Sequence, residues 1–355
     1  MKSMLFRRDA RSRLGIVTVT AALLAGVIGG EIPFATAEPD IYGTGSSEGS
    51  PPTYPEAAGP TRPEIDRVEP ITDRWLRVFV RSPAMARTVE VQVLLPRDRA
   101  GARPTVYTLD GRTAEPNGNN WIEHGHAAGF FEDKNVNVVL TVGGPASFYT
   151  DWLRTDPVLG TNRWESFLTR ELPPLIDAGF DGNGRNGVMG VSMGAEAAMM
   201  LTVRRPDLYR AVAAHSGCYA ISTDSGQAQA RAIVLSYRGQ PDNMFGAPDD
   251  PQWYAHDVVA HAEALRGKAI YLSTGNGLPG RYDVPGDPDL PSNVVLGGPL
   301  EAGAAGCTHA LVDRLTRLDI PFTANFRDSG THSWPYWADE LGRSWPVMAG
   351  ALGVS

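Results

Sequence analysis

Polar and apolar positions alternate along Trp75-Leu76-Arg77-Val78-Phe79-Val80 and again along Thr88-Val89-Glu90-Val91-Gln92-Val93-Leu94-Leu95, with Pro83 between them. A period of two belongs to a strand with one buried face, and the proline marks a turn, so the pattern predicts an antiparallel hairpin. Farther on, continuous apolar runs replace the alternation, at 105–109, 136–142, 187–191, 211–214 and 269–273. Such runs fit strands buried on both faces of a parallel sheet. Helical spacing of apolar residues falls between and after them, at 164–178, 195–204, 256–265 and 311–318. The series predicts an α/β fold: a mostly parallel central sheet with an antiparallel N-terminal hairpin and helices on both faces.

The N-terminus reads differently. Lys2, Arg7, Arg8, Arg11 and Arg13 precede an apolar run over 14–30, and Ala35-Thr36-Ala37 has the small-x-small form of a cleavage site. This predicts a signal peptide over residues 1–37, export to the cell envelope or beyond, and no permanent membrane span after cleavage. An uncleaved N-terminal anchor is the alternative. Residues 38–70, rich in Pro, Gly, Ser and Thr, read as a flexible linker. Residues 71–355 show no repeat and no composition break, which predicts one catalytic-sized domain.

Charge narrows the function classes. The net charge is -8, and the only lysines are Lys2, Lys134 and Lys268. A scattered, acidic charge pattern offers no footprint for nucleic acid. The two cysteines, Cys218 and Cys307, are either one staple or two buried thiols in an oxidising compartment. With no CxxC and no His-rich spacing, a metal site is not expected.

Gly190-Val191-Ser192-Met193-Gly194 is the sharpest chemical signal. It has the form G-x-S-x-G, directly after one apolar strand and directly before the helix-forming run Ala195-Glu196-Ala197-Ala198. A strand-to-helix turn this tight needs glycine at its flanks and lifts the serine hydroxyl off the sheet edge, as in the nucleophile elbow of α/β-hydrolases. A nucleophilic serine needs a base, and the base needs an orienting acid. In that fold the order is serine, acid, histidine. Of seven histidines, His332, in the loop after the strand-like Phe322-Thr323-Ala324-Asn325-Phe326, satisfies the order. His215, His256 and His261 fall on or beside earlier elements, and His124, His126 and His309 lie outside it. For the acid, Asp283, Asp287 and Asp289 follow the strand at 269–273, and Glu301 opens a helix, where it also reads as a charge complementing the dipole. Spacing favours one of the aspartates.

Several longer strings occur together: Tyr107-Thr108-Leu109-Asp110-Gly111, Gly143-Gly144-Pro145-Ala146-Ser147-Phe148-Tyr149-Thr150-Asp151-Trp152, Pro299-Leu300-Glu301-Ala302-Gly303 and Gly330-Thr331-His332-Ser333-Trp334-Pro335-Tyr336-Trp337. With the serine motif, they resemble the mycolyltransferase family, the antigen 85 complex proteins and their corynebacterial-type relatives. The resemblance runs from about residue 70 to the end of the chain. It implies an α/β-hydrolase fold and a Ser192–Glu301–His332 triad. It implies an oxyanion hole from the backbone N–H groups of Met193 and Arg112, and sugar contact through Asp110. Trp334, in the aromatic segment after His332, is a candidate for substrate binding. The segment reads first as packing for the His332 loop, and Phe148, Tyr149 and Trp152 carry the same two readings, packing or acyl channel.

The implied activity is acyl transfer from trehalose monomycolate to another trehalose mycolate or to cell-wall arabinogalactan, with no metal or organic cofactor. An exported carboxylesterase and a non-catalytic envelope-binding protein on the same fold are the alternatives. The chain also departs from the mycobacterial pattern. Arg112 and Thr113 stand where Leu-Arg follows Asp-Gly, and Glu196 stands on the elbow helix where small residues are usual, reading as a solvated or paired helix charge. Finally, Cys218 should emerge at the carboxyl edge of the sheet and Cys307 lies six residues past Glu301, which predicts a Cys218–Cys307 disulfide near the active-site edge.

Overall fold

Nine strands form one sheet in a computed structural model that describes residues 61–354. The predicted signal peptide and most of the predicted linker lie outside the described residues. The hairpin expected from the alternating runs is β2 (Trp75–Ser82) and β3 (Arg87–Leu94), paired antiparallel from Trp75↔Leu94 to Ser82↔Arg87. β3 continues antiparallel onto β5 (Asn137–Thr141). From β5 onward the pairing is parallel, through β4 (Arg103–Leu109), β6 (Gly182–Val191), β7 (Tyr209–His215), β8 (Ala269–Thr274) and β9 (Thr323–Phe326).

Alternate residues of the central strands feed two separate cores. Tyr107, Val188, Val212 and Leu272 join the elbow helix (Met193–Arg204) and the helix Gly298–Arg317 on one face. Val106, Met189, Ala213 and Tyr271 join Trp121, Phe131 and the C-terminal helix (Trp334–Leu352) on the other. Burial on both faces explains why these strands read as continuous apolar runs.

Three expectations need correction. Residues 64–70, expected in the linker, form β1 (Glu64–Pro70) at the sheet edge, antiparallel to β2. Its charged residues pair across to β2, with Arg81 on Glu64 at 3.0 Å and Arg77 on Glu69 at 3.2 Å, and they interrupt the apolar alternation that marks a strand. The helix expected over 256–265 does not form; a helix ends at Ala255 and only a 3₁₀ turn occupies Ala262–Leu265. There the N–H groups of Val258 and Val259 donate to the Tyr219 carbonyl, and Asp257 accepts from Ser222 and Ala260. These bonds to the loop after β7 replace an i→i−4 ladder. The helix read at 311–318 begins earlier, at Gly298, where Pro299 occupies a first-turn position that needs no N–H.

The segment expected to be helical from Trp164 is so, with a π turn at Phe167–Glu171 before Leu172–Gly179. Pro173 and Pro174 lack the N–H groups that would close regular turns there. Among the described residues, no helix is long and apolar enough to cross a membrane.

Candidate active site

Ser192 sits between the end of β6 and the start of the elbow helix with φ 53° and ψ −123°. A non-glycine residue there is strained, which is the conformation a nucleophile elbow imposes. The flanking glycines are required by close approach. A Cβ at Gly190 would lie 2.1 Å from the Gly194 carbonyl oxygen, and one at Gly194 would lie 2.4 Å from that of Asp110. Met193 is the first residue of the helix, so its N–H has no helical acceptor.

His332 Nε2 lies 2.8 Å from Ser192 Oγ, and its Nδ1 lies 2.7 Å from Glu301 Oε2. With the carboxylate accepting, the ring proton belongs on Nδ1, which leaves Nε2 to accept the serine proton. Glu301 is wholly buried at the start of the helix Gly298–Arg317. Its other oxygen, Oε1, accepts from Ser216 Oγ at 2.8 Å, Thr274 Oγ1 at 3.2 Å, the Gly275 N–H, and Arg327 Nη2 at 3.1 Å. Burial alone would push the carboxyl up, but the bond and charge of His332, the Gly275 N–H and Arg327 outweigh it and hold Glu301 below its ordinary value.

The three aspartates that spacing favoured do not meet His332. Asp283 accepts from Thr331 Oγ1 at 2.7 Å and from Tyr336 at 2.6 Å, so it anchors the loop rather than the ring. Asp287 and Asp289 line the cleft outside it. Among the other histidines, His215 is fully buried against Ser273, its pKa lowered to about 4 by burial. His124 and His126 are on the cleft wall.

The cleft, about 910 Å³, opens over Ser192 and His332. Glu123, His124, Asp287 and Asp339 supply polar lining, and Phe130, Leu296, Leu300 and Trp334 supply apolar lining. Cys218, just after β7, and Cys307, on the same helix as Glu301, are disulfide-bonded with Cα atoms 4.8 Å apart. The predicted bridge therefore ties the Glu301 helix to the loop beside the nucleophile strand.

A protein-family profile described as "Putative esterase" matches residues 82–346. The diacylglycerol acyltransferase/mycolyltransferase Ag85B of Mycobacterium avium is 30% identical over 298 residues, 78% of this chain and 83% of that protein. The chain belongs to the antigen 85 mycolyltransferase family of esterase-like α/β-hydrolases. The crystal structure of Mycobacterium tuberculosis MPT51 superposes with a TM-score of 0.67 at 26% identity, covering 79% of this chain and all of that one, 100%. An S-formylglutathione hydrolase from Agrobacterium tumefaciens, 18% identical with a TM-score of 0.58, covers 81% of this chain and 99% of its own, and shares the fold.

Within this mycolyltransferase-family frame, the remaining residues fall as follows. Asp110 is buried; Asn120 donates to its Oδ2 from both backbone and side chain, and its Oδ1 has no partner among the described residues. Burial raises its pKa to about 7 despite those bonds. The cleft wall itself is made by the next residues, Gly111, Arg112 and Thr113. Arg112 is exposed, its guanidinium 5.9 Å from the Tyr237 ring centre. Trp334 faces the cleft and packs edge-on against Trp121 and Trp337. Phe148, Tyr149 and Trp152 are core residues, fully or almost fully buried.

Glu196 departs from expectation. It is neither solvated nor ion-paired, but buried, with Oε1 accepting from the Cys218 N–H at 3.1 Å and from Gln229 at 2.8 Å. Residues that sequence reasoning missed are Ser216, Thr274 and Arg327 around Glu301, and Glu340 behind Arg327. They are ordinary residue types on four different elements, and no local motif brings them together.

Proposed function

We propose that the protein is an exported mycolyltransferase working through a Ser192 acyl-enzyme. The observation that carries this reading is the pair of short bonds that join His332, on the cleft wall, to Ser192 and to the buried Glu301. Ser192 Oγ attacks the ester carbonyl of trehalose monomycolate and passes its proton to His332 Nε2. Glu301 steadies the imidazolium through Nδ1–H. The backbone N–H groups of Met193 and Arg112 receive the oxyanion. As the carbon–oxygen bond breaks, His332 returns the proton to the departing trehalose oxygen, leaving a mycolyl ester on Ser192. A hydroxyl of a second monomycolate, or of arabinogalactan, then gives its proton to His332 and attacks the ester; as the bond to Ser192 breaks, His332 returns that proton to Ser192 Oγ and the free enzyme is restored. The chemistry uses side chains and backbone only.

The mixed lining supports an amphiphilic substrate. A sugar suits Glu123, Asp287 and Asp339, and an alkyl chain suits Phe130, Leu296, Leu300 and Trp334. Asp110 directly precedes the wall residues Gly111, Arg112 and Thr113, the place where the resemblance would put a sugar contact. The basic-then-apolar N-terminus and the disulfide support export. Hydrolysis is the second reading, favoured by the esterase profile. The test is to incubate purified protein with trehalose monomycolate and resolve dimycolate from free mycolic acid, with Ser192→Ala as control. Dimycolate formation supports transfer, free acid alone supports hydrolysis, and neither product from the wild type overturns the acyl-enzyme reading.

A further inference from the structure

Behind Glu301 lies a second wholly buried carboxylate, Glu340 on the C-terminal helix. Arg327, in the loop after β9, stands between the two. Its Nη1 donates to Glu340 Oε1 at 3.0 Å and its Nη2 to Glu301 Oε1 at 3.1 Å. The Arg327 side chain is 14% exposed, so water screens its charge little. Glu340 is further held by Asn325 Nδ2 at 2.7 Å and by the Tyr271 hydroxyl at 2.6 Å. One cation is thus shared by two carboxylates, only one of which touches the catalytic ring.

Among the described residues, few other charges reach this pair. Arg343 approaches Glu340 at 3.9 Å but is half exposed. His215, on β7, is neutral in its buried site, and the hydroxyls of Tyr219 and Tyr271 are held un-ionised by burial. Asp283 is engaged with Thr331 and Tyr336, over whose ring the Arg327 guanidinium lies at 5.3 Å. Besides His332 itself, Arg327 is the cation bonded to Glu301 among the described residues, so how it divides itself adjusts the charge that Glu301 presents to the ring.

We propose that Arg327 is a positioning residue, and that Glu340, by drawing on the Arg327 charge, sets how strongly Glu301 stabilises the protonated His332 ring. This rests on the acyl-enzyme reading above for its catalytic meaning, but its electrostatics do not depend on turnover. Removing the Arg327 charge exposes His332 to the full negative field of both carboxylates and favours the imidazolium. Removing the Glu340 charge frees Arg327 to neutralise Glu301 and disfavours it.

The experiment follows the His332 ring by NMR titration in Ser192→Ala protein, carrying Arg327→Gln, Glu340→Gln, or both. Arg327→Gln should move the titration midpoint up by on the order of one pH unit, and Glu340→Gln should move it down by a few tenths or more. The double variant should return towards the parent. In the Ser192-containing enzymes, the acidic limb of kcat/KM against pH, read with a short-chain chromogenic ester, should move in the same directions. A role limited to packing would lower stability and leave both midpoints in place, which overturns the proposal, as would shifts of the same sign in both variants. If Arg327→Gln does not fold, Glu340→Gln decides alone: a downward shift supports the proposal and none overturns it. Opposed NMR shifts in a protein with no ester turnover would retain the charge sharing and discard the acyl-enzyme reading instead.

Discussion

Thr331 donates its hydroxyl proton to Asp283 at 2.7 Å, and the next residue in the chain is His332. Asp283 also accepts from Tyr336 at 2.6 Å and from the Gly280 N–H at 2.8 Å, so one carboxylate gathers the loop after β8 and both sides of the histidine loop. Backbone bonds from Gly277 to the Gly330 carbonyl and from Gly330 to that of Leu278 complete the clasp. Asp283→Ala would leave the buried Tyr336 hydroxyl without its acceptor and Thr331 with only Ser333 Oγ, 3.2 Å away. The expected cost is about 1–3 kcal/mol of stability, with a fall in kcat as His332 loses its fixed approach to Ser192. Urea unfolding and steady-state turnover measure both. Unchanged stability would show that the clasp holds without Asp283.

The acid assignment separates cleanly by mutation. Glu301→Ala removes the partner of His332 Nδ1 and should lower kcat on the order of 10³–10⁴-fold, whereas Asp287→Ala should change kcat less than about tenfold. Far-UV circular dichroism of both variants guards against unfolding. A large loss for Asp287→Ala with little for Glu301→Ala would reverse the assignment.

How much of this was readable beforehand depended on whether the signal was local. The strands at 187–191 and 211–214 and the elbow around Ser192 were legible because tight turns and two-sided burial leave a mark within a few residues. β1 was not, since Glu64, Asp66 and Glu69 stand among its apolar positions and meet arginines on β2, a pattern visible only once the strands pair. Glu301 could not be chosen over Asp287 by spacing; the resemblance pointed to it, because the long helix that carries it returns it to the sheet edge. Arg327 and Glu340, 13 residues apart, carried no signal at all, because their meeting depends on β9 and the C-terminal helix packing together.

Glu196 supplies a pH test. Burial on the elbow helix raises its pKa to about 8 despite the bonds from Gln229 and Cys218. A carboxyl that is harder to ionise in the folded state than in the unfolded chain gives stability that is present at low pH. That contribution is lost as pH rises from the unfolded value, about 4.3, through the folded one, because the unfolded chain releases its proton first. Glu196→Gln keeps an acceptor for both donors and cannot ionise. The variant should therefore gain on the wild type between about pH 5 and pH 8, by up to roughly 1.4 kcal/mol per pH unit. Urea unfolding of both proteins at the two pH values reads the difference directly. An equal difference at each pH would mean that Glu196 is already ionised in its buried site.

The Cys218–Cys307 bridge bears on both stability and the site. It closes a chain separation of 89 residues, for which the chain-entropy account gives roughly 4–5 kcal/mol, less any strain. Position makes it more than a staple. Cys307 shares a helix with Glu301, and the Cys218 N–H is itself a donor to Glu196 on the elbow helix, so the bond joins the acid's support to the nucleophile's. Replacing both cysteines by serine should lower stability by a few kcal/mol and reduce kcat, with the ester's KM changed less, because the loss falls on triad geometry rather than on the cleft. Intact mass after alkylation under denaturing, non-reducing conditions checks the bond itself: the protein as isolated should take up no alkyl group, and two only after reduction. Uptake of two groups without reduction would mean free thiols in the isolated protein and would remove this account of how the Glu301 helix is held.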